Sequence, residues 1–173
     1  LGTNLGSLRL FEGATFTRAA VLANSGLIEI GPNSTATLGN LQMSDGNLIV
    51  DGALVGSPIV AGGRVRGSGT VNGGLAMNGG TLSPGTDDVG ALTITGNASL
   101  GSNATLLAEL RGPGLGNFDR VQTSQSLALN GTLSVEMVPT YSAVMGDTFR
   151  IATGNTVSGS FHRLPDPQDW SVN

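Results

Sequence analysis

The sequence predicts an all-β protein, a right-handed parallel β-helix (β-solenoid) of about eight short coils, and three observations predict it. Apolar and polar residues alternate in many short runs, the runs recur at roughly 20-residue spacing, and each is bounded by Gly, Asn, Asp or Pro. Alternation places every second side chain on one face of a strand, so each run offers the interior a thin stripe of Leu, Ile or Val. A hairpin sandwich uses similar strands. Very short strands with one inward stripe fit a stacked coil better, because each repeat buries its stripe only against its neighbours. At about 4.8 Å between stacked strands, such a rod is on the order of 40 Å long.

The first runs are Ser7-Leu8-Arg9-Leu10-Phe11, Gly26-Leu27-Ile28-Glu29-Ile30, Thr35-Ala36-Thr37-Leu38, Asn47-Leu48-Ile49-Val50, Gly63-Arg64-Val65-Arg66 and Gly69-Thr70-Val71. Then come Ala91-Leu92-Thr93-Ile94-Thr95, Ala104-Thr105-Leu106-Leu107-Ala108-Glu109-Leu110, Ser126-Leu127-Ala128-Leu129, Thr132-Leu133-Ser134-Val135-Glu136 and Thr148-Phe149-Arg150-Ile151. Most follow the form G-x-L-x-[ILV], and no segment shows helical spacing. The chain is read as a single β-helix domain over residues 1–173, with residues 1–61 joined to it by continuity. Gly serves the corners, where the backbone needs left-handed φ values, and Asn does nearly the same. Asn24, Asn33, Asn40, Asn47, Asn72, Asn78, Asn97 and Asn130 are placed at or beside such corners, either as ordinary turn residues or as amides stacked from coil to coil.

Composition narrows the class of function. The chain has 28 Gly, no Cys, no Lys and 4% aromatic residues, an unusual mixture for a compact enzyme domain. Apolar residues make up 39%, enough for a continuous core, while charged residues at 12% fall well below the roughly 25% of globular proteins. Ser, Thr, Asn and Gly must therefore cover the surface. A formal charge of −4 argues against nucleic acid and anionic lipid as partners. Without Cys there is no disulfide, zinc or thiol chemistry. No apolar run reaches a membrane span, the start LGTNLG lacks the marks of a signal peptide, and both ends read as cut from a longer chain.

Residues 62–164 carry a family resemblance. The blocks are Gly62-Gly63-Arg64-Val65-Arg66-Gly67-Ser68-Gly69-Thr70-Val71-Asn72-Gly73, Asn78-Gly79-Gly80-Thr81-Leu82-Ser83-Pro84-Gly85 and Gly90-Ala91-Leu92-Thr93-Ile94-Thr95-Gly96-Asn97. Phe118-Asp119-Arg120-Val121, Leu129-Asn130-Gly131-Thr132-Leu133-Ser134-Val135, Gly146-Asp147-Thr148-Phe149-Arg150-Ile151 and Val157-Ser158-Gly159-Ser160-Phe161 continue them. In this order they resemble the last part of an autotransporter passenger domain, or a related Gly-rich bacterial surface solenoid. The resemblance implies a β-helical rod exported to the outer surface of a Gram-negative bacterium, with this region similar to the autochaperone that seeds folding outside the cell. It implies a structural or adhesive role, with contacts to host surfaces or glycans. It also implies membrane attachment only through a barrel or anchor absent from this chain. Self-association through β-helix ends or faces is expected on physical grounds, because an uncapped solenoid exposes strand edges that can dock another copy.

The alternative is a glycan-active β-helix enzyme of the lyase or hydrolase kind, which needs three or more acids in a lateral groove with an Arg beside them. The acids are dispersed: Asp87-Asp88 is the only adjacent pair, read as an exposed loop and short of the oxygen ligands a calcium site requires. Arg64 and Arg66 share one side of a strand and make a small positive spot, while Glu109 and Glu136 face outward as solubilising charges. His162 is the only histidine, and no G-x-S-x-G elbow accompanies it. Gly112-Pro113-Gly114-Leu115-Gly116 misses the phosphate-loop spacing and reads as a loop between coils. Tyr141 and Trp170 are assigned to capping or packing near the end of the rod. Thr-x-Thr pairs at Thr15/Thr17, Thr35/Thr37 and Thr93/Thr95 raise the idea of an ice-binding face, but along the chain they are few and unevenly spaced. Asn33, Asn97, Asn103 and Asn130 begin Asn-x-Ser/Thr sequons and are read as corner residues. The sequence thus names no catalytic, cofactor-binding or metal residue, and the expectation is a protein that is not an enzyme.

Overall fold

A computed structural model describes residues 2–162. Trp170, the closing PQDWSVN and the last two residues of the 62–164 region lie outside them. The described chain is all-β, without a helix, and its strands are stacked in parallel as a β-solenoid. Three ladders run along it. Thr3, Ala23, Gln42, Ile59, Ala76, Ser99, Ala128 and Ser158 lie side by side in the first. Leu8, Ile28, Leu48, Val65, Leu82, Leu106 and Leu133 do so in the second. Thr15, Thr35, Ala53, Thr70, Thr93, Gln122 and Thr153 do so in the third. The described residues therefore make seven circuits and begin another, a minor difference from about eight. The difference arises because coils are uneven: successive first-ladder partners are 20, 19, 17, 17, 23, 29 and 30 residues apart. The N-terminal third belongs to the same ladders.

The alternating runs explain the interior. Ile28, Leu48, Val65, Leu82, Leu106 and Leu133 stack up the second ladder, and Ala36, Leu54, Val71 and Ile94 up the third, all buried. With Leu22, Leu41, Met43, Val60 and Met77 they form one continuous core. Each fully buried aliphatic side chain contributes about 1.5–3 kcal/mol, so the stacked stripes supply the main drive for coiling. In-register stacking also lets each strand satisfy its backbone groups on the coils above and below.

Glycine sets the corner between the first and second ladders. Gly26, Gly46, Gly63 and Gly80 sit one above another there: the Gly26 carbonyl accepts the Asn47 N–H at 2.8 Å, Gly46 that of Arg64 at 2.9 Å and Gly63 that of Thr81 at 2.9 Å. Gly46 has φ +80°, and a Cβ on it would lie 2.1 Å from the Gly26 carbonyl oxygen. No other residue fits so close an approach between coils.

Three details sharpen or correct the expectations drawn from sequence. Asn24 ends the first-ladder strand Leu22–Asn24 beside a corner, fully buried, and takes the second of the two roles expected of it, an amide stacked directly above Asn4 of the neighbouring coil. Asn4 Nδ2 donates to Asn24 Oδ1 at 2.7 Å and to the Leu27 carbonyl at 2.9 Å, and Asn24 Nδ2 donates to the Gly26 carbonyl at 3.2 Å. This is a two-rung amide ladder, ended by Met43 in the next coil. Because both amides are satisfied only by each other and the corner backbone, Asn24→Leu alone is expected to cost about 1–3 kcal/mol, and Asn4→Leu with Asn24→Leu less than the sum of the single changes. Urea unfolding of the four members of the cycle measures it. Second, Asn78-Gly79-Gly80 makes its corner without a break in the sheet: strand Leu75–Pro84 runs through it with a register shift between Met77 and Gly79. Third, Thr148-Phe149-Arg150-Ile151 is not a strand; pairing begins at Ala152–Thr153, and Phe149 engages other aromatic rings instead.

Candidate interaction corner

The extra residues of the longer coils all fall at one corner. Between the first and second ladders, and between the third ladder and the next coil, connections keep nearly constant length. From second to third ladder the step is 8 residues (Ser7 to Thr15, Leu27 to Thr35), then 6 (Asn47 to Ala53, Arg64 to Thr70), then 12 (Thr81 to Thr93), 17 (Thr105 to Gln122) and 21 (Thr132 to Thr153). Three loops, 85–90, 111–119 and 138–151, are therefore brought to the same corner of consecutive coils. Insertions confined to one edge of a repeat array mark the part free to vary while the stack is preserved.

The loops are tied to each other and to the rod. Thr86 Oγ1 donates to both Asp51 oxygens, at 2.8 and 2.9 Å, and its carbonyl accepts Arg66 Nη1 at 3.1 Å, which anchors loop 85–90 on two earlier coils. Arg111 of the second loop pairs with Asp88 of the first. That hydrogen bond, followed by the Val89 N–H, holds the Asp88 carboxyl below its usual range. Phe118 is buried and meets the Phe149 ring edge-on with centroids 5.5 Å apart; Tyr141 meets Phe149 at 6.1 Å. The Tyr141 hydroxyl donates to Asp147, whose carboxylate also accepts the Val144 N–H at 2.9 Å and is held below its usual range. Leu115, Val144 and Met145 stand exposed at the loop tips.

Asp119 lies beneath this cluster, 1% exposed. Its Oδ1 accepts the Gly90 N–H at 2.8 Å and its Oδ2 the Glu109 N–H at 3.0 Å, so one carboxyl joins the end of the first loop to the strand that leads into the second. Burial pushes its pKa up to about 7; the two N–H donors oppose the rise, and the negative charges of Glu109 and Asp88 add to it. Sequence reasoning places Asp119 only within a motif block, since burial against Gly90 and Glu109, 29 and 10 residues away, leaves no local mark.

The other candidate residues are placed as follows. Asp87 is exposed, and among the described residues no group of three or more His, Cys, Asp or Glu is arranged to hold a metal ion. Arg64 and Arg66 do share the outer face, but Arg66 is committed to Thr86 and the two make no binding spot of their own. Glu109 and Glu136 face outward on adjacent rungs. Gly112-Pro113-Gly114-Leu115-Gly116 forms the middle of the second corner loop, within a coil rather than between coils. His162 Nδ1 lies 3.2 Å from Asn130 Oδ1, beside a shallow recess lined by Ser102, Asn103 and Thr132, and no carboxylate of the described residues is bonded to it. Asn33 is a left-handed corner residue at φ +63°, Asn97 Oδ1 accepts the Ser126 hydroxyl of the next coil at 2.8 Å, and Asn130 Oδ1 accepts the adjacent Gly131 N–H at 2.9 Å. Tyr141 packs within the corner cluster, as a packing role requires.

The fold and this corner define a β-solenoid with a rigid shaft and one elaborated edge. Comparison with protein-family models, curated proteins and solved structures finds no match to the chain.

Proposed function

We propose that the chain is a structural or adhesive segment of a secreted bacterial surface protein, in which the coils form a rigid shaft and the corner loops make contact. The single observation that carries this reading is the confinement of every long insertion to one corner, over a stack whose other two connections barely change. The motif blocks of residues 62–164 favour an autotransporter passenger, placed outside the outer membrane and held by a barrel or anchor outside this chain. The exposed apolar tips Leu115, Val144 and Met145 offer the contact, either to a host surface or glycan or to a second copy. The reading gives the chain no catalytic role.

Display of the chain on bacterial cells tests it. Replacing 112–116 and 142–146 by short Gly/Ser turns is expected to abolish adhesion to epithelial cells and cell-to-cell aggregation while the melting temperature of the purified rod holds. Undiminished adhesion and aggregation with both loops trimmed would sink the proposal. The glycan-active alternative draws on Asp88, Glu109 and Asp119, which lie close enough to influence one another, with Arg111 beside them. Against it, both Asp119 oxygens are occupied by backbone N–H groups out of reach of a polymer. Depolymerisation of an acidic polysaccharide by the purified chain, lost in Asp88→Asn and Glu109→Gln, would replace the adhesive reading with the enzymatic one.

A further inference from the structure

The Thr-x-Thr pairs that look irregular along the chain become regular in space. Unequal corner loops absorb the unequal sequence spacing, so the third ladder aligns Thr15, Thr35, Ala53, Thr70, Thr93, Gln122 and Thr153 in one outward rank. A parallel rank two residues along the strands contains Thr17, Thr37, Val55 and Asn72, followed by Thr95 and Ser124. The side chains between the ranks, Ala36, Leu54, Val71, Ile94 and Thr123, are buried. None of these thirteen outward residues is charged and none is buried.

The two ranks define a grid. Neighbours repeat at about 4.8 Å along the rod, and the ranks stand about 6.6 Å apart along the strands. Each Thr adds one methyl and one hydroxyl at a grid point, and χ1 of a β-branched residue on a strand is restricted, so the groups are held in place before any ligand arrives. Val55 keeps the shape of Thr at its point. Thr93 Oγ1 accepts Gln122 Nε2 at 2.8 Å and Thr95 Oγ1 accepts the Gly73 N–H at 3.0 Å. The hydroxyls of Thr15, Thr17, Thr35, Thr37 and Thr70 are not engaged by other described residues and face solvent.

Such a face suits a periodic ligand. The two ranks have neither the aromatic platforms on which sugars stack nor the Trp, Tyr and Arg anchors that dominate protein interfaces. They also lack charges, which would hold hydration water in their own geometry; Arg120, beside Gln122 at one edge of the grid, is the charged residue that shares the face. Two fixed repeats of these sizes are close to those of oxygen atoms on planes of hexagonal ice. We propose that the outer face of the third ladder is an ice-binding surface, on which methyl groups and hydroxyls hold a water layer in register with an ice lattice. The inference stands apart from the adhesive reading of the corner and does not depend on it.

The test uses the purified, fluorescently labelled chain with growing ice crystals. The expected result is incorporation of label into ice, faceting of single crystals and slowed recrystallisation. Thr35→Arg with Thr37→Arg is expected to lose all three, Val55→Thr to strengthen them, and Gln42→Arg on the first ladder's outer face to leave them unchanged. Melting temperatures establish that each variant is folded. Exclusion of the unaltered chain from ice, or full activity in the folded double Arg variant, would overturn the proposal.

Discussion

Gly46→Ala is expected to lower the unfolding free energy by about 2–6 kcal/mol, through two costs that a control can separate. At φ +80° the first is conformational, about 1–3 kcal/mol for a residue with a Cβ held in a sparsely populated region. The second is steric. The added carbon meets the Gly26 carbonyl oxygen at 2.1 Å and the Ser25 carbonyl carbon at 2.6 Å, both backbone atoms of the coil below, so the two coils must separate and strain the packed core, a further cost of about 1–3 kcal/mol. Gly116 also has a positive φ, +90°, but a Cβ added there would meet no atom within 4 Å. Gly116→Ala should therefore carry the conformational cost alone. Parallel denaturant curves measure the gap between the two variants, and equal midpoints would refute the close approach of stacked corners.

Asp119→Ala should cost about 1–3 kcal/mol for each of the two buried N–H groups it leaves without an acceptor, those of Gly90 and Glu109. Asp119→Asn should cost less, since one amide oxygen still accepts, while its NH2 group faces the second donor. The carboxyl also makes stability depend on pH. Its folded pKa of about 7 lies above the roughly 3.9 of an unfolded chain, so the native state binds the proton more tightly. The stability contributed by the protonated form is fully present below about pH 4, declines as pH rises, and is lost on passing through about 7. Unfolding midpoints across that window should fall with pH in the native sequence. In Asp119→Asn the same segment of the profile should be flatter; an unchanged slope would assign the pH dependence to other groups.

Both predictions concern contacts between residues distant in the chain, and such contacts separate what is legible in the sequence from what is not. Period-two alternation in Leu27–Ile30, Arg64–Gly67 and Ala91–Ile94 is legible because a strand's two faces meet different solvents, whatever the neighbouring coil contains. The strands Thr3–Asn4 and Ile59–Val60 are not, since two residues contain no period. Between the two roles open to Asn24, turn residue or stacked amide, the choice is illegible for a similar reason: its partner Asn4 lies a full coil away. At Asn78-Gly79-Gly80 the corner is legible, but not that the ladders on either side carry one continuous strand through it.

The order of residues alone dictates the all-β class, the short inward stripes and the glycine corners, because alternation and backbone freedom are local properties of a few adjacent residues. It took the packed coils to establish which corner holds the loops, that Asp119 lies beneath them, and that scattered threonines share two straight ranks. Those features depend on register between coils, which is set by summed loop lengths and core stacking, and no short window of sequence contains either.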